Sequence, residues 1–110
     1  MSYDLRIHEE EYPHLMAKVE NHEEGGTFAL GGTTDAELNI TYNYNKIFNF
    51  RGLNGKPCKE CIEWLEPIVK ILGTDRSEDY WEETNGNVGY CLSVILSWCK
   101  QHPTGFISIY

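Results

Sequence analysis

The residues best suited to chemistry on a ligand lie in one window of the chain. Thr41-Tyr42-Asn43-Tyr44-Asn45-Lys46 combines a hydroxyl, amides, two aromatic rings and a cation, and Arg51 follows shortly after. Aromatic rings stack on a base, amides read its edge, and a lysine or arginine neutralises a phosphate. Asn85-Gly86-Asn87 is a second candidate, because a helix opening there presents backbone N–H groups to an anion. Plainer roles are open to the same residues. Asn85 reads equally as a helix N-cap, Gly86 as a turn, and Lys46 and Arg51 as ordinary surface charge. The candidate ligand-binding set is therefore Tyr42, Asn43, Tyr44, Asn45, Lys46, Arg51, Asn85 and Asn87, with no catalytic and no metal-ligating residue in it.

Charge singles out the same window. Seventeen acids against nine lysines and arginines give a net charge of −8, which excludes a protein that grips duplex nucleic acid by its phosphates. Residues 1–24 hold seven acids against Arg6 and Lys18. Residues 38–59 hold none, but carry Lys46, Arg51, Lys56 and Lys59 and five of the eight asparagines. An acidic chain with one acid-free, aromatic and amide-rich window reads as a binder of small anions.

Searches for catalysis come back almost empty. There is no G-x-S-x-G, no H-E-x-x-H and no P-loop lysine. His8, His14, His22 and His102 lack ligand spacing, and the first three fall in an acidic stretch that reads as solvated surface. The acids around Trp81 (Glu78, Asp79, Glu82, Glu83) read as a solvated loop. Cys58-Lys59-Glu60-Cys61 is a C-x2-C pair, yet Cys91 and Cys99 supply no second tight pair for zinc. A redox C-x-x-C is expected after a strand in a βαβ unit, which is missing here. The four cysteines are expected to be small buried residues on two helices, without disulfides. No enzyme and no cofactor is expected.

The positioning elements follow from periodicity. At 110 residues the chain is expected to be a single domain, 1–110, with a marginal core that makes a partner subunit plausible. Tyr3, Leu5 and Ile7 alternate with polar residues and predict a half-buried strand. Glu9 to Glu24 reads as a loop with a short helical turn. Glycine pairs at Gly25-Gly26 and Gly31-Gly32 bracket Thr27 to Leu30, a short β piece. Glu37 to Tyr44 reads as a strand with Leu38, Ile40 and Tyr42 on one face. Pro57 suits a first helical position, and Ile62, Leu65, Val69 and Leu72 follow at helical spacing. Pro67 should kink or divide that helix, and Gly73 should stop it. The connector Thr74 to Thr84 carries Tyr80-Trp81 among five acids. A second helix is expected from about Asn87 to His102, and Phe106 to Tyr110 as a last strand pairing beside the first. The expected class is α+β, a small antiparallel sheet packed against two C-terminal helices, with the last strand at the C-terminus. With no long apolar run and a polar N-terminus, a soluble domain without a membrane segment is expected.

Several pieces, taken together, resemble a known set. Ser2-Tyr3-Asp4-Leu5, Gly25-Gly26-Thr27, Gly31-Gly32-Thr33, Leu38 to Tyr44, Leu72-Gly73-Thr74-Asp75, Tyr80-Trp81-Glu82, Thr84 to Asn87 and Pro103-Thr104-Gly105 resemble, in this order, a widespread group of small bacteriophage proteins of unassigned function. More loosely, Ser2 to Leu5, Thr41-Tyr42-Asn43, Phe48 and Asn85-Gly86 are similar to the Thoeris anti-defence sponges. That resemblance implies a phage protein in the host bacterial cytoplasm. It would bind cyclic ADP-ribose isomers, or cyclic oligonucleotides, without cleaving them. It also implies a small antiparallel sheet with two helices, assembled as a homo-oligomer (a dimer or higher) with pockets at subunit contacts. The Gly25–Thr34 region and the scarcity of arginines are departures from that pattern. The expected partner is thus a small nucleotide signal, not duplex nucleic acid and not a membrane. The alternative is an acidic interaction protein that inhibits a host nucleic-acid-binding defence protein through carboxylates in residues 1–24 and 75–83.

Overall fold

The computed structural model describes residues 1–19, the backbone of 27–29, and 35–110. The glycine pairs and His22 lie outside the described residues. Four strands form one antiparallel sheet: β1 (Ser2–His8), β2 (Thr27–Ala29), β3 (Glu37–Thr41) and β4 (Phe106–Ile109), in the order β2-β3-β1-β4. The alternation in β1 is realised, with Tyr3, Leu5 and Ile7 buried and Ser2, Asp4 and Arg6 partly exposed. β1 meets β3 from Ser2 opposite Thr41 to Arg6 opposite Glu37, and meets β4 from Leu5 opposite Ile109 to His8 opposite Phe106. The last strand does pair beside the first. The free edge of β4 is covered, since Gly55 N–H donates to Ile107 O at 2.8 Å, Ile107 N–H to Lys56 O at 3.0 Å, and Cys58 N–H to Gly105 O at 2.9 Å.

Two helices follow, α1 (Cys58–Leu72) and α2 (Asn85–Gln101). Pro57 is extended and precedes the first helical residue, so the helix begins one position later than its sequence suggests. Pro67 does not divide α1, which runs from Cys58 to Leu72 through it. Pro67 is exposed, so water can take the carbonyl that its missing N–H leaves open. Gly73 ends the helix with φ 75°.

The helices differ in depth. α1 buries only Cys58, Cys61 and Leu65, whereas α2 buries most of its circumference, including Val88, Cys91, Leu92, Ile95, Trp98 and Cys99. α2 is therefore the central element. Its residues share one continuous core with Leu5, Ile7, Leu38, Ile40 and Ile107 of the sheet and with Phe48, Phe50 and Leu53. Two glycines let other backbone lie against α2. A Cβ on Gly86 would stand 1.7 Å from Asp75 O, and one on Gly89 would stand 1.8 Å from Gly73 O. The end of α1 and the start of the connector thus cross the first turns of α2 in direct contact.

Candidate functional site

The window departs from its expected conformation at Thr41. The strand ends there, and Tyr42–Lys46 turns into a short 3-10 helix. Thr41 brings this about, because its hydroxyl accepts from Asn43 N–H at 3.3 Å and caps the turn. A second 3-10 turn, Phe50–Leu53, follows on buried Phe50 and Leu53. A continued strand would have put Tyr42 and Tyr44 on one face. The tight turn separates them, and the candidate residues sort into two sets.

One set gathers on Tyr3. Its ring is buried in β1, and the Tyr42 ring tilts over it with centroids 4.4 Å apart. The Arg51 guanidinium lies 5.0 Å from the Tyr3 centroid, and Asn45 Nδ2 donates to Tyr3 Oη at 2.6 Å. Among the described residues no carboxylate forms an ion pair with Arg51. Asn45 and Arg51 are exposed and Tyr42 is half-buried. The result is an outward-facing patch of two rings, an amide and a guanidinium whose N–H edges are open to an anion.

The other set holds the connector. Asn43 Nδ2 donates to Trp81 O at 2.9 Å, and the buried Tyr44 hydroxyl donates to Tyr80 O at 2.6 Å. Burial pushes the Tyr44 phenol well above the usual tyrosine range. Lys46 Nζ pairs with Glu83 at 2.8 Å, and that hydrogen bond holds the Glu83 carboxyl below its ordinary range. The acid-free window is therefore met in space by the most acidic stretch of the second half.

The second helix opens differently from its expected form. Thr84, not Asn85, is the N-cap, with its hydroxyl accepting from Asn87 N–H at 3.1 Å. Asn85 is the exposed first residue of α2. Asn87 is buried, and its side chain is fully engaged. Its Oδ1 accepts from Ser77 N–H at 2.9 Å, and its Nδ2 group faces Ser77 Oγ at 3.0 Å, Asp79 O at 3.2 Å and Glu82 O at 3.0 Å. With the Asp75 backbone against Gly86, this helix start is packed by the chain's own connector.

Tyr3 was missed as a member of the patch, since its place in an alternating strand marks it only as core. His8 also departs from expectation. It is buried, stacks on Phe106 with centroids 5.3 Å apart, and shares a 2.7 Å hydrogen bond with Ser108 Oγ. A cleft of about 570 Å³ opens beside it, lined by Arg6, His14, Lys18 and His102 among others. Three of its lining side chains already have partners: Arg6 with Glu37 at 3.5 Å, Lys18 with Asp35, and His102 with Glu9 at 3.1 Å. Among the described residues no group of three or more His, Cys, Asp or Glu side chains could hold a metal ion, and no helix is long and apolar enough to cross a membrane.

No family model matches the sequence, and no curated protein or solved structure is similar enough to count as a match. The chemistry of the site rests on its own geometry.

Proposed function

We propose that this protein binds and sequesters a cyclic nucleotide immune signal, a cyclic ADP-ribose isomer or a cyclic oligonucleotide, without cleaving it. It would act as a phage anti-defence protein in the host bacterial cytoplasm. The observation that carries the reading is the meeting of Tyr42, Asn45 and Arg51, from the acid-free window 38–59, with Tyr3 of β1. A base would stack on the Tyr42 ring, the Asn45 amide would meet its polar edge, and Arg51 would take a phosphate. The buried Tyr3 ring, 5.0 Å from the Arg51 guanidinium, restrains that side chain and lowers the cost of ordering it on binding. Nothing in the patch resembles a general base beside a nucleophile, so binding without turnover is the simplest chemistry it supports. As a homo-oligomer, it would gain further walls for the ligand from a second copy.

The experiment is mass spectrometry of small molecules released by denaturing the purified protein, after exposure to lysate of cells with an active cyclic-nucleotide defence. Recovery of an intact cyclic nucleotide in stoichiometric amount is expected. A cleaved product would move the reading to an enzyme, and no nucleotide despite its presence in the lysate would remove it.

A second reading, an acidic protein that inhibits a host nucleic-acid-binding defence protein, is favoured by the exposure of Glu10, Glu11, Glu78, Asp79 and Glu82. It expects salt-sensitive capture of a basic protein that charge reversal at Glu9–Glu11 abolishes.

A further inference from the structure

Helix α1 carries two apolar stripes. The inner one holds the fully buried Cys58, Cys61 and Leu65 and packs into the core against α2. The outer one is Trp64, Pro67, Ile68 and Ile71, at the i, i+3, i+4, i+7 spacing of a helix face that meets another surface. Trp64 is 38% exposed, Ile71 is 82% exposed and Pro67 is exposed, while Ile68 is half-buried. Trp64 lies beside the second 3-10 turn. Its ring centroid is 5.3 Å from that of Phe48, and a Cβ on Gly52 would stand 3.5 Å from its Cη2. A single exposed apolar residue needs no explanation, but a run of them in helical register marks an interaction surface.

We propose that this stripe is the interface of a symmetric homodimer, in which two copies of α1 pack antiparallel about a two-fold axis near Pro67 and Ile68. Charge identifies the occupant. Glu60 is paired with Lys56 at 3.4 Å, and Glu66 with Lys100 at 2.7 Å. Glu63 and Lys70 are exposed and belong to no ion pair among the described residues. They stand two helical turns apart, so they share the edge of the stripe beside Pro67. Turned end for end, a second α1 sets its Ile71 beside Trp64 and its Lys70 beside Glu63, and each contact forms twice. A parallel copy would set Glu63 on Glu63 and Lys70 on Lys70. A purely basic or purely acidic partner would match one of the two residues and repel the other. The chain itself, reversed, meets both.

The dimer is expected to be weak. A standard interface buries roughly 800 Å² per partner, and one helix face supplies less, which sets half-dimerisation at about 100 µM. Two copies of net charge −8 also repel one another, an effect that salt screens. The dimer places a second copy beside the turn that carries Arg51, and so gives a face to the homo-oligomer proposed above. It does not rest on the nucleotide reading, and a test without ligand lets the two fail separately.

The test is sedimentation velocity on the whole chain without ligand, from about 10 µM to about 1 mM in about 0.15 M salt. The expected result is a shift from monomer to dimer across that range. Ile71→Lys should weaken the dimer about tenfold or more and leave the thermal unfolding midpoint unchanged, since Ile71 is exposed. Glu63→Lys and Lys70→Glu should each weaken it about threefold. The double variant Glu63→Lys/Lys70→Glu should restore the parental dimer, because exchanging the charges keeps the antiparallel match. A chain that stays monomeric to about 1 mM would overturn the proposal and give the stripe to a different protein. So would a dimer that tolerates Ile71→Lys, a double variant no stronger than the single ones, or assembly beyond a dimer.

Discussion

Residues 41–51 contribute to two regions built from the same kinds of side chain, and the two behave oppositely. Asn43, Tyr44 and Lys46 face the connector, where their donors meet Trp81 O, Tyr80 O and Glu83. Tyr42, Asn45 and Arg51 face Tyr3, where rings and an amide meet and Arg51 is exposed. An amide whose partner is a backbone carbonyl of its own chain is holding structure together. A guanidinium over a ring still has N–H groups for a visitor, and an amide that donates to one hydroxyl keeps its carbonyl oxygen for one. The contrast teaches that residue type nominates a binding window, while the partner already present decides which of its members remain available.

That contrast can be broken from the connector side first. Asn87→Ala removes the side chain that ties Ser77, Asp79 and Glu82 to α2, breaking four part-buried hydrogen bonds. We expect a loss of about 3 kcal/mol in denaturant unfolding. A loss below about 1 kcal/mol would mean that the connector is not held by this residue. Tyr44→Phe should cost about 1–2 kcal/mol through loss of the hydrogen bond to Tyr80 O. It should also change the alkaline limb of the stability curve. The buried phenol is raised above its ordinary value of 10.0, so its contribution is fully present below pH 10 and falls as the unfolded chain releases its proton above it. The parent should lose about 1.4 kcal/mol per pH unit from this group, and the variant should lack that part of the slope. Equal alkaline slopes in parent and variant would refute the assignment.

The ring side should respond in the other sense. Arg51→Ala is expected to leave stability within about 0.5 kcal/mol while weakening binding of a cyclic ADP-ribose isomer about tenfold or more, read by calorimetric titration. Full binding in that variant would take the Tyr3 patch out of consideration. The smallest effect is expected from Lys46→Ala. Its ion pair with Glu83 is exposed, and its removal should change stability by less than about 0.5 kcal/mol. If Lys46→Ala weakens ligand binding as much as Arg51→Ala does, the division between the two sets fails.

The period-two pattern of Tyr3, Leu5 and Ile7, the apolar stripe of α2, the stop at Gly73 and the closing strand were all legible in the sequence, and with them the α+β class. These features are local: each follows from backbone preference and from which side of an element must leave water. Thr41 was legible in principle, since a threonine can cap a turn, but strand propensity in the residues around it pointed the other way. Pro67 does not divide α1 because its cost depends on whether the carbonyl one turn back faces solvent, and only packing fixes that.

The candidate site divides along the same line. The sequence by itself determined that one acid-free window would carry the rings, amides and cations, and that a helix would open near Asn85. Only the tertiary structure decided that the acidic connector closes over half of that window, that Asn87 is structural, and that Tyr3 belongs to the patch. The physical reason is distance along the chain. Contacts such as Tyr3 with Arg51 and Lys46 with Glu83 join residues about forty positions apart, and they exist only because burial of the shared core brings their elements together.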